Sequence, residues 1–207
     1  MKTLLAVITC LVLLPMCSGA QNGQRITYKI VAAESNLWVY VAKAGLFSAL
    51  AHDHEIGVRS FSGSVTVREH SVAGGALTLD IEAKSLTVLD KKVSEADRTK
   101  IFNSMHNEVL ESAQHPQITF KSVSVSDVKA AGENAYSLTV NGDLTLHGVT
   151  KRIAVPVSAT ITPQLLKATG KYTLRQTLFG IKPYSTAGGA VKVKDEVVVN
   201  FNIVAKA

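Results

Sequence analysis

Alternation of apolar and polar residues dominates the chain from Asn36 onward, and a period of two predicts half-buried β-strands. In 61–68, Phe61, Gly63, Val65 and Val67 share one face, opposite Ser62, Ser64, Thr66 and Arg68. Residues 76–83 set Leu77, Leu79, Ile81 and Ala83 against Thr78, Asp80 and Glu82. The same rhythm runs through 136–146, 153–159, 168–174 and 197–205. Two places disturb it. Ile118 and Phe120 give way to Val123 and Val125 on the opposite phase, which calls for a bulge near Lys121 or Ser122. Pro156 cannot donate to a ladder, so its segment is expected at an edge or at a bulge.

One stretch has helical period. In 94–112, Ser94 and Asp97 are spaced for a capping box, and Ile101, Phe102, Met105 and Val109 recur on one face. The helix is expected to end before His115-Pro116, because a residue preceding proline avoids helical dihedrals. No longer repeat and no linker divides the chain, which predicts one domain. The fold class is all-β with one short amphipathic helix, an antiparallel barrel or sandwich. A barrel of about eight strands either fills its interior with side chains or holds one small ligand. Function turns on which.

The beginning of the chain changes the picture of where this domain works. Lys2, an apolar run from Leu4 to Met16, and Ser18-Gly19-Ala20 read as a secretory signal peptide over 1–20, leaving 21–207 as the mature domain. Periplasmic or secreted localisation follows. Lipidation at Cys17 is the weaker reading, since Pro15 and Met16 occupy positions where a lipobox wants small residues. Both cysteines, Cys10 and Cys17, fall in the removed segment, so no disulfide framework is expected. The formal charge of +6 is scattered, without the clustered basic face a nucleic-acid partner requires. It suits solubility, with transient contact to an anionic membrane surface.

Candidate chemistry centres on His52 and His54. A regular strand through 48–58 would put Leu50, His52, His54 and Ile56 on the inner face and Asp53, Glu55 and Arg59 outside. Buried imidazoles favour the neutral form and need hydrogen-bonding partners. They fit a polar cluster in a core, polar anchors in a ligand cavity, or a metal grip that lacks visible third and fourth ligands. His147 reads as a turn residue, His106 as the polar side of the helix, and His115 as a pre-proline loop residue. No metal ligand set and no cofactor motif emerges. Catalytic signatures are also missing: no nucleophile elbow, no metalloprotease helix and no phosphate loop. Ser48 and His52 on one strand would lie about 13 Å apart, too far to form a nucleophile and its base.

Several segments, in this order, resemble the YceI-like family of exported polyisoprenoid-binding proteins: "AGLFSALAHDHEI", "FSGSVTV", "HPQITFKSVSV", "VNGDLTLHGVTKRIAVPV", "LFGIKP" and "VKDEVVVNFNIVA". The likeness runs from about Tyr28 to Ala205. It implies a lipocalin-like antiparallel β-barrel with a helix packed near the opening and an apolar channel for an isoprenoid chain, without catalysis. The sequence departs from the commoner family pattern in the helical segment and at Glu34-Ser35. With His52 and His54, the expected ligand-binding residues by strand phase are Leu50, Ile56, Phe61, Leu77, Leu79, Phe120, Tyr172 and Phe201. Phe102 and Met105 join them from the helix, Met105 as an adaptable gate. The expected partner is thus an apolar lipid, sequestered or carried by an exported, non-enzymatic barrel. Two alternatives stay open: a metal-binding protein or metal-dependent enzyme using His52 and His54, and a filled-core barrel acting as a surface interaction or stress-response module.

Overall fold

Twelve strand segments form one antiparallel sheet that closes on itself as an eight-stranded barrel. The computed structural model describes residues 23–45, 52–69, 71–186, 188 and 191–207. The signal-peptide segment, Cys17 and Leu50 lie outside the described residues. Three wall strands are each built from two segments separated by a short irregular stretch. These are β1 (Arg25–Ile30) with β2 (Asn36–Ala44), β3 (His54–Val58) with β4 (Phe61–Arg68), and β5 (Ser71–Glu82) with β6 (Leu86–Val88). The others are β7 (Gln117–Gly132), β8 (Ala135–Leu146), β9 (Val149–Ile161) and β10 (Leu165–Arg175). The two-residue β11 (Ser185–Thr186) lies beside the last wall strand, β12 (Val191–Lys206).

Each wall strand pairs with the next in sequence, and β12 returns to β1 and β2, where Lys29 meets Lys206 and Tyr40 meets Val198. This up-and-down order needs only short connections and joins the last wall strand back to the first. Alternation does what the period of two dictates. On β9, Ile153, Val155, Val157 and Ala159 face the interior, while Arg152, Ser158 and Thr160 face out. Lys167, Thr169 and Lys171 keep the outer face of β10 polar. An outer-membrane barrel has the reverse arrangement, with its apolar side outward. No helix among the described residues is long and apolar enough to cross a membrane.

The two disturbances resolve differently. The β7–β8 register shifts between Ser122 and Ser124, so the bulge falls at Val123. Ser122 and Val125 then point inward, while Val123, expected inside, is 56% exposed because the bulge turns it out. Pro156 pairs with Thr139 of β8 and has no partner on β10, so it sits at a local open edge of the wall and not at a bulge. Its missing N–H is tolerated because the β9–β10 ladder ends at Val157, one residue away.

The helix α1 (Glu95–Ser104) starts as its capping box predicts. The Asp97 N–H donates to Ser94 Oγ at 3.1 Å, and the Ser94 hydroxyl donates to Asp97 Oδ2 at 2.8 Å. It runs on into a π-helical turn, Met105–Val109, closed by the Leu110 N–H donating to the Met105 carbonyl at 2.8 Å. The extra residue in that turn brings Leu110 onto the face shared by Ile101, Met105 and Val109, which lies over one end of the barrel.

Candidate functional site

A cavity of about 470 Å³ runs along the barrel axis. Its wall is almost wholly aliphatic, drawn from the inward phase of all eight wall strands. The end opposite the helix is packed around Tyr28, Val67, Leu166 and Ala205, with the Tyr28 hydroxyl donating to the Thr162 carbonyl at 2.7 Å. Burial pushes the Tyr28 phenol above its usual range. The other end lies under α1 and the π-turn, where Lys100, Ile101, Ser104, Met105, Val109 and Leu110 contribute to the lining.

Two phenylalanines keep the middle hollow. Phe120 and Phe201 lie flat over glycines of the wall, Gly142 and Gly170, instead of projecting into the lumen. Polar groups facing the cavity are few, and three of them are already partnered. Ser122 Oγ accepts the Leu77 N–H at 2.7 Å, and the Gln176 amide donates to the Lys194 carbonyl at 2.9 Å. His54, at the helix end, has Nδ1 2.6 Å from Asp90 Oδ2, and the other Asp90 oxygen accepts the Glu55 N–H at 2.7 Å. His54 is 19% exposed and Asp90 11%, so this pair sits at the boundary between lumen and solvent.

Of the residues expected to bind ligand, His54, Ile56, Leu77, Leu79, Met105, Phe120, Tyr172 and Phe201 line the cavity. Phe61 is buried in the core beside it, packed with Leu37, Ile81 and Leu86. Two placements are corrected. His52 is exposed, because the regular strand begins only at His54. The two imidazoles therefore do not form an inward pair, and the metal grip read from their spacing loses its geometry. Phe102 is also outside, 38% exposed with its ring 4.3 Å from that of His106, because it falls one residue past the inward position held by Ile101.

His106, expected on the polar side of the helix, is buried and doubly bonded. Its Nε2 is 3.0 Å from the Leu86 carbonyl and its Nδ1 is 2.7 Å from the hydroxyl of the fully buried Ser112. A carbonyl only accepts, so Nε2 donates to it, and the Ser112 hydroxyl, able to donate or accept, completes the bond at Nδ1. Arg98 adds donors to the carbonyls of Val88 and Asp90. These contacts fasten the cap to β6, and only the i, i+8 relation of Arg98 and His106 on one helix face hinted at them.

An eight-stranded antiparallel barrel, hollow, apolar inside, polar outside and capped by a helix, defines the architecture of a small-ligand container. The chain belongs to the YceI-like domain family, whose profile matches residues 28–205. It is 33% identical over 96 residues to UPF0312 protein VPA0850 of Vibrio parahaemolyticus, a match spanning 46% of this chain and 44% of that protein. Among solved structures, BcnA of Burkholderia cenocepacia superposes with a TM-score of 0.65 at 20% identity, covering 84% of this chain and 98% of BcnA. A polyisoprenoid binding domain from Saccharophagus degradans gives 0.61 at 16% identity, with 87% and 98% covered. The YCEI protein of Campylobacter jejuni gives 0.54 at 14% identity, with 73% and 84% covered. At such identities the structural likeness establishes the shared fold.

Proposed function

We propose that this protein is an exported carrier that holds one long apolar lipid, of the isoprenoid class, along the axis of its barrel. The observation that carries this reading is the continuous aliphatic lining of a 470 Å³ cavity, a volume within the about 300–1,000 Å³ typical of small-molecule sites. Burying hydrocarbon contributes about 0.8 kcal/mol per methylene, so a lining of this kind rewards chain length and little else. The His54–Asp90 pair, beneath the cap, is the polar anchor on which a head group would rest. The polyisoprenoid binding domain of Saccharophagus degradans, which shares the fold, supports the choice of lipid class. A filled barrel acting only through its surface is disfavoured by the cavity itself. Export rests on the signal-peptide pattern of residues 1–20 and is checked by N-terminal sequencing of the mature protein.

Native mass spectrometry of the purified protein, before and after organic extraction, tests the reading. One co-purifying lipid per chain is the expected result, lost on extraction and restored by adding back a prenyl lipid. A lumen-filling Val199→Trp substitution should reduce that occupancy while the fold is retained. Protein that carries no lipid and takes up none after extraction would overturn the proposal.

A further inference from the structure

Three side chains from two separate segments meet beyond the end of the π-turn. Glu111 follows the turn, His115 lies four residues on, and His147 occupies the connection between β8 and β9. One ligand atom from each lies within 4.8 Å of the other two. His147 Nε2 stands 2.8 Å from Glu111 Oε2, and the rings of His115 and His147 are 4.2 Å apart, inclined at 53°. All three are half-buried. The lipid cavity does not include them.

The backbone at this cluster is unusual for its residue types. Glu111 has φ of 43° and His147 has φ of 51°, both in the left-handed region. His147 and Gly148, with φ of 73°, form the two-residue hairpin between Leu146 and Val149. Such a turn favours asparagine before glycine, so turn geometry alone does not select histidine. Glutamate is not among the residues enriched in this region, although histidine is. At Gly148 a Cβ would stand 3.1 Å from His115 Cε1, so the glycine also leaves room for the second imidazole.

We propose that Glu111, His115 and His147 bind one divalent transition cation of the zinc type. Two imidazoles and one carboxylate, with a fourth position for water, are a donor set that zinc accepts in tetrahedral geometry. Metal–ligand bonds of about 2.0–2.2 Å place neighbouring ligand atoms roughly 3.3 Å apart, a spacing the cluster reaches by small side-chain rotations. Imidazole donors disfavour calcium and magnesium, which take oxygen ligands. The ion takes the place of the hydrogen bond between His147 Nε2 and Glu111, with the single proton of the neutral imidazole then held on Nδ1. It thereby ties the segment after the cap to the β8–β9 hairpin. The site is separate from the lipid reading and does not depend on it.

The test is a zinc titration of the purified full chain against a chromophoric competing chelator, with thermal unfolding followed in parallel. One zinc ion per chain is expected, with a rise in the unfolding midpoint, and calcium should produce neither. His147→Asn suits the left-handed turn and removes a ligand, and Glu111→Gln removes the charge. Each should weaken zinc binding by at least about tenfold, while His52→Ala, on an exposed side chain, leaves it unchanged. His115→Ala, at a position without positive φ, carries the same expectation should either of the others fold poorly. Sub-stoichiometric zinc in the wild type, or undiminished affinity in these folded variants, would overturn the proposal.

Discussion

The ring of Phe201 lies across Gly170, its direct partner in the β10–β12 ladder, so closely that a Cβ on the glycine would stand 2.5 Å from the ring Cζ. Phe120 makes the same close approach to Gly142, its diagonal neighbour on β8, where the distance would be 2.3 Å. The hollow therefore depends on two glycines that let large rings rest against the wall.

Gly170→Ala and Gly142→Ala are each expected to destabilise the fold by about 1–3 kcal/mol, the range for forcing an extra carbon into a packed interior. The added methyl meets backbone as well as ring, at the Pro156 carbonyl for Gly170 and the Lys121 carbonyl for Gly142. Urea unfolding measures the loss. Combining Gly170→Ala with Phe201→Leu should recover part of it, and an unchanged midpoint in the single variants would contradict the close approach.

Asp90→Ala is expected to cost about 1–3 kcal/mol, because it leaves His54 Nδ1 and the Glu55 N–H without their acceptor near the cavity. His52→Ala, on an exposed side chain, should stay within about 0.5 kcal/mol of the wild type. Thermal denaturation of the two variants side by side checks the contrast. Equal effects would restore the symmetric histidine pair that spacing alone suggests.

Acid should weaken the fold through carboxylates held below their usual range. Asp53 is held down by the Lys43 N–H and then the Tyr40 hydroxyl, Asp97 by the Ser94 hydroxyl and then Lys100, and Asp195 by the Thr177 N–H. In each case the folded pKa lies below the ordinary aspartate value of 3.8, so the group's stabilising contribution is fully present above that value. It is lost as pH falls through the depressed folded values. Urea midpoints measured from about pH 6 down to pH 2.5 should fall below about pH 4. Asp97→Asn and Asp195→Asn should each make that fall shallower.

His106→Ala is expected to cost about 1–3 kcal/mol or more, since Ser112 Oγ and the Leu86 carbonyl both lose a buried partner. Faster amide hydrogen exchange in 95–110 should accompany it, while the β8–β9 ladder keeps its protection. Loss of protection throughout the barrel would show that the cap and wall unfold together.

The wall was legible in the sequence because alternation is a local property: 61–68 and 136–146 have the faces their side chains announce. The break in phase after Phe120 located the bulge to within one residue or two of Val123. What failed were inferences that extended a local rule past its end. His52 was assigned a face by continuing a strand that begins at His54, and Phe102 by counting an apolar residue adjacent to the inward position as part of the stripe. Pro156, expected at an edge or a bulge, does stand where the β9–β10 ladder has stopped. The meeting of Glu111, His115 and His147 depends on how the end of the cap docks against a hairpin, which no periodicity encodes.

The attachment of the cap to β6 has a further consequence. Among the described residues β6 pairs only with β3, and two of its carbonyls, Leu86 and Val88, are taken by His106 and Arg98. Those side chains occupy positions that an incoming strand from another molecule would otherwise seek. The lid is thus also a guard against self-association: a barrel stripped of both donors would present a short docking rail to its own copies.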